Sequence, residues 1–179
     1  MATYATKNDR KHFTKSYATV DDAKVCPFSC RMLAELYIES KPHPLADIEL
    51  DQFKAWIFRE FHNQRLGSVL LLTDDDVTPD EMLANWKSKK VLLVSTANNE
   101  HPYLSVSDNV RFRAVHDWHH IAFNCGFDFA GEYKTFEMAI KSAPRSIWWV
   151  LFSEIVLQAA ACIHTGEFQP QKLVRHYCF

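Results

Sequence analysis

The stretch Ile147 to Ile163, IWWVLFSEIVLQAAACI, limits what this chain can fold into more than any other part of it. It is apolar on almost every face, and a helix of that kind has to be buried, in a core or in a membrane. Glu154 and Gln158 interrupt it near the middle and no second segment like it occurs, which favours the central helix of a soluble core. The rest of the chain must then supply surfaces to cover it.

Four glycines in 179 residues are too few for the tight turns of an all-β sandwich, so the covering surfaces are expected to be helices. The fold predicted is mainly α: a single-domain helical bundle with a buried central C-terminal helix and at most a small two-stranded sheet. An N-terminal arm is expected over residues 1–25, where Lys7, Arg10, Lys11 and Lys15 make the chain polar, and the helical domain over 26–179.

Helical spacing of Met32, Leu33, Leu36 and Tyr37 predicts a helix over Cys26–Ser40, ended by Lys41-Pro42-His43-Pro44. A second amphipathic helix, Leu45–Gln64, carries Ile48, Phe53, Trp56, Ile57 and Phe61 on one stripe. Val69–Leu72 and Lys89–Thr96 read as two short strands. Between them, Thr78-Pro79-Asp80-Glu81 is a helix start, with a capping threonine, proline at the first position and acids in the first turn. Asp74-Asp75-Asp76 lacks the alternating ligands and glycine of a calcium loop and reads as a solvated turn.

Candidate chemistry gathers in Asn109–Glu137. Ser107-Asp108 is expected to cap a helix over Asn109–Phe123, in which Val110, Ala114, Trp118, Ile121 and Ala122 form an apolar side. A narrow polar stripe of Arg113, His116, Asp117 and His120 remains, with Phe112 and Phe123 at its borders. His116 and His120 stand one turn apart on one face. Asn124-Cys125-Gly126 breaks the helix, and Gly131-Glu132 opens another that can bring Glu132 back to the histidines. Two imidazoles and a carboxylate make a common shell for a divalent ion, zinc first, with iron or manganese also fitting. Glu154, costly to bury without a partner, is expected to face His116, His120 or Arg113. The expected ligands are therefore His116, His120, Glu132 and Glu154, with Asp117 or Glu154 as general base and Arg113 stabilising developing negative charge.

His116-Asp117-Trp118-His119-His120 resembles the H-E-x-x-H element of zinc metallopeptidases, with aspartate in the glutamate's place; that resemblance implies zinc on the two histidines and a base at Asp117. The His-Asp dipeptide is also similar to that of HD-domain phosphohydrolases, for which His62 or His101 and Asp128 stand as upstream and downstream partners. A broader resemblance covers the C-terminal half. R-A-V-H-D-x-x-x-H, the Gly-Glu at 131–132, Glu154-x-x-x-Gln158 and the Gln-Lys at 171–172 resemble a pattern in a group of phage and bacterial proteins. It implies that His116, Asp117, His120, Glu132, Glu154 and Gln158 act together, and implies no particular reaction.

A formal net charge of −2 gives no basic surface for nucleic acid. Five scattered cysteines (Cys26, Cys30, Cys125, Cys162, Cys178), with no apolar leader in the first twenty residues, suit reduced thiols and a cytoplasmic setting. The expected function is a metal-dependent hydrolase acting on a small molecule or peptide. The alternatives are a non-catalytic binding or regulatory protein with a structural His/Glu cluster, and an HD-type phosphohydrolase.

Overall fold

Proline and capping residues set the helix boundaries seen in a computed structural model, which describes residues 27–175; the arm expected over 1–25 lies outside them. α1 spans Pro27–Glu39 and stops short of Pro42, and α2 spans Asp47–Asn63. Ala46 has no capping side chain, and its N–H is taken instead by the Glu49 carboxylate at 3.2 Å. α3, Pro79–Lys89, opens on the reciprocal capping box foreseen at Thr78 and Glu81: Glu81 N–H donates to Thr78 Oγ1 and Thr78 N–H to Glu81 Oε2. α4 runs from Val106 to Ala122 and begins three residues before the predicted Asn109. Ser105, not Ser107-Asp108, is the cap: its hydroxyl accepts from Asp108 N–H and donates to the Asp108 carboxylate. α5 spans Phe129–Ala139.

β1 (Leu70–Thr73) and β2 (Leu92–Ser95) form the small sheet, in parallel, with Leu70 opposite Leu92 and Thr73 opposite Ser95. Parallel pairing needs a crossover, and α3 provides it. Leu92 and Val94 turn inward, while Leu71 and Leu72 stay exposed. Arg113 ties the end of β2 to α4, donating to the carbonyls of Ser95, Ala97 and Asn98 at 2.9, 2.9 and 3.0 Å.

The apolar stretch forms α6, a continuous helical segment over Arg145–Thr165, and 78% of its most apolar window is buried within the protein. This is the central core helix the sequence called for. α1 packs along its last two turns, Gln158–Thr165, and α5 along its middle. Trp56, Tyr37, Phe53, Phe136, Leu151 and Leu157 are fully buried in the surrounding core, each contributing about 1.5–3 kcal/mol.

The middle of α6, Phe152–Leu157, is wound as a π segment, with Gln158 N–H reaching back five residues to Ser153 O. Both adjacent polar residues of this helical stretch engage the irregular C-terminal segment: Ser153 Oγ accepts from Val174 N–H at 2.8 Å and Glu154 Oε2 from Gln171 Nε2 at 2.8 Å. Tyr37 Oη accepts from Lys172 N–H and fastens the same segment to α1.

Candidate metal centre

α4 ends where Asn124 takes a left-handed φ of 49°, a conformation asparagine tolerates better than most residues. The chain turns through Cys125 and Gly126, and Asp128 caps α5 by accepting from Gly131 N–H at 2.7 Å. This short return sets Glu132 against the last two turns of α4. His116 Nε2 lies 3.0 Å from Glu132 Oε2, His120 Nε2 lies 3.4 Å from the same oxygen, and the two imidazole nitrogens are 3.2 Å apart. His120 and Glu132 are buried, and the His116 side chain keeps 21% of its surface exposed.

The remaining ring nitrogens are also engaged. His116 Nδ1 faces Asp117 Oδ1 at 3.4 Å, and His120 Nδ1–H donates to the carbonyl of Cys125 at 3.3 Å. Phe127 stacks on the His120 ring, 4.0 Å between centroids and 12° from parallel, and restrains its rotation. On the neutral rings such contacts fix the tautomer that leaves the Nε2 lone pair available to a metal. His116, His120 and Glu132 thus form a group able to hold a metal ion, one ligand atom from each.

The electrostatics of the group describe an anion and a cation in contact. Burial opposes charge on His116, but Glu132 and Asp117 outweigh it and raise its pKa to about 10. Burial likewise opposes ionisation of Glu132, but His120 and His116 outweigh it and hold its pKa down to about 2. Glu132 Oε1 has no hydrogen-bond partner although it is buried. Burial, followed by the Glu132 charge, pushes the Cys162 thiol up to about 12. His119 points away from the group, next to Trp56 and Phe123. Burial, then the neighbouring His116 and His120, lowers its pKa to about 4, so it is neutral at pH 7.

Three of the four expected ligands therefore meet. Glu154 does not join them: it belongs to a second buried polar cluster, 3.3 Å from His101 Nε2 and 2.8 Å from Gln171. His101 Nδ1 accepts from both Tyr103 N–H and Leu104 N–H, which leaves its Nε2–H to donate to Glu154 Oε1. The anticipated Glu154–His pairing exists, with His101 rather than His116 or His120. Gln158, one turn further along α6, is not in either cluster among the described contacts. Arg113, expected to face developing negative charge, has its guanidinium committed to three backbone carbonyls. Burial lowers its pKa, partly offset by Asp117 and Asp76.

The partners offered for an HD-type site do not converge on His116-Asp117 either. His62 Nδ1 bonds to Phe58 O, His101 to Glu154, and Asp128 caps α5. What sequence reasoning missed was the outer support: the Cys125 carbonyl, the Phe127 ring and the close seat of Gly131. The Asn124-Cys125-Gly126 break was the available signal for the first; the other two depend on packing. Comparison with protein-family models, curated proteins and solved structures gives no match to this chain.

Proposed function

We propose that this protein is a metal-dependent enzyme, a hydrolase, whose zinc ion is held by His116 Nε2, His120 Nε2 and Glu132 Oε2. The observation that carries this reading is the convergence of three lone-pair atoms while both Nδ1 positions are satisfied elsewhere. Three acceptors at such distances repel unless a proton or a metal cation sits among them. Their separations of 3.0, 3.2 and 3.4 Å are close to the edge of a tetrahedron with metal–ligand bonds of about 2.0 Å, which is about 3.3 Å. In the metal-free protein a proton on His116 takes the cation's part, and metal binding releases it.

Two further features favour a catalytic over a structural centre. Among the described residues no fourth His, Cys, Asp or Glu joins the three, and structural zinc sites are normally closed by four protein ligands. The His116 side chain also keeps 21% of its surface exposed, so the group is not sealed from solvent. A zinc ion with an open position lowers the pKa of bound water to about 7 and polarises a carbonyl or phosphoryl oxygen. In this arrangement Asp117 orients His116 through Nδ1 and is the nearest carboxylate left for a proton-transfer role. Glu154 holds the C-terminal segment, and Arg113 holds the end of β2.

Cobalt substitution tests the proposal. The wild-type protein is expected to take up one equivalent of Co(II) with a tetrahedral absorption band, and His116→Ala and His120→Ala to lose it while keeping their helical circular dichroism. Hydrolysis of activated ester and phosphoester substrates should disappear in the same two variants. A wild-type protein that binds neither Co(II) nor Zn(II) sinks the proposal, and one that binds without hydrolysing any such substrate supports the structural alternative.

A further inference from the structure

The outer edge of β1 carries a different message. The carbonyls of Val69 and Thr73 accept from Leu92 and Thr96 N–H at 2.8 and 2.7 Å. Backbone groups alternate in direction along a strand, so those of Leu70 and Leu72 point away from β2. Among the described residues β1 has no strand on that side. Leu71 and Leu72 are 51% and 48% exposed, one on each face of the strand. Val69–Thr73 contains no charge, no proline and no bulge, the devices by which edges are normally kept from pairing.

Charge surrounds this edge asymmetrically. Arg65, exposed and with no ion pair among the described residues, precedes the strand, and the exposed Asp74, Asp75 and Asp76 follow it. We propose that β1 pairs edge to edge and antiparallel with β1 of a second copy of this chain, giving a four-stranded sheet across a twofold axis. With the axis at Leu71, Leu70 of each copy exchanges backbone hydrogen bonds with Leu72 of the other, and the two Leu71 side chains meet. Antiparallel pairing brings the cationic start of each strand to the acidic end of the other; parallel pairing would set like charges together. The strand is thus self-complementary in backbone, apolar surface and charge. Strands this short make a small interface, so the dimer is expected in the range of about 10–100 μM.

Sedimentation of the full chain over a concentration series, with amide exchange at Leu70 and Leu72, tests this. Leu72→Lys places a charge on the edge at a half-exposed position and should weaken the dimer at least about tenfold, about 1.4 kcal/mol, with unchanged circular dichroism. Arg65→Asp should weaken it as well, and adding Asp76→Arg should restore it. Leu70 and Leu72 amides should exchange slowly only at concentrations where the dimer forms. A chain that stays monomeric up to about 500 μM overturns the proposal. So does a dimer indifferent to Leu72→Lys and Arg65→Asp. Slow exchange of both amides in the dilute monomer also overturns it, because the edge would then be covered within one chain.

Discussion

Gly131 is seated so closely on Gly126 that a β-carbon at position 131 would lie 1.9 Å from the Gly126 carbonyl oxygen. No side chain fits that gap, and the contact is with backbone, which cannot swing aside. The close approach anchors the first turn of α5 against the loop after α4, and Glu132 is the next residue along.

Gly131→Ala is therefore expected to force the start of α5 away from the loop and to cost about 3 kcal/mol. Since Glu132 moves with it, Co(II) affinity should fall together with the thermal midpoint. Unchanged Co(II) affinity in a folded Gly131→Ala protein would show that Glu132 is not positioned by this contact.

Asp117→Asn keeps the shape of the side chain and removes the charge facing His116 Nδ1. Outer-shell partners of this kind typically support metal affinity about 10- to 100-fold. A loss of that size, with little change in unfolding midpoint because Asp117 is partly exposed, is the expected result. Competition with a chromophoric chelator measures it.

Glu154→Gln is expected to leave metal content untouched. The new amide can accept from His101 Nε2–H and donate to Gln171 once that amide turns over, so the cost should be about 1 kcal/mol. Glu154→Ala leaves the buried His101 imidazole and the partly buried Gln171 amide without an acceptor and should cost about 3 kcal/mol. Urea denaturation of both variants beside their zinc content decides the matter; metal loss in either would return Glu154 to the ligand set.

The metal-free protein should show a stability maximum near pH 6.5. His116 has its pKa raised from 6.5 to about 10, so its contribution is fully present below pH 6.5 and is lost as pH rises through 10. Glu132 is lowered from 4.5 to about 2, so its contribution is present above pH 4.5 and lost as pH falls through 2. His119, lowered from 6.5 to about 4, adds an acid decline between those values because the unfolded chain takes up its proton first. If zinc binds as proposed, it takes the place of the His116 proton and should abolish the alkaline decline. Urea midpoints across pH with chelator and with zinc check this, and His119→Leu should flatten the slope between pH 6.5 and 4.

The sequence by itself determined what local forces decide. The helix starts at Thr78 and the break at Asn124–Gly126 follow from capping and turn chemistry within a few residues. The shared face of His116 and His120 follows from helical periodicity, and the short return to Glu132 from the proximity of the two helices in the chain. The burial of Ile147–Ile163 follows from composition alone. Tertiary structure decided the partners of Glu154. A helix apolar on every side has no stripe to reveal how it is rotated, and the π winding at Phe152–Leu157 turns its polar residues further from the regular wheel. Glu154 consequently meets His101 and Gln171, 53 and 17 residues away, instead of the histidines of α4. The same holds for Arg113, whose long side chain had equal claim on a carboxylate or on the carbonyls of β2 until the sheet was in place.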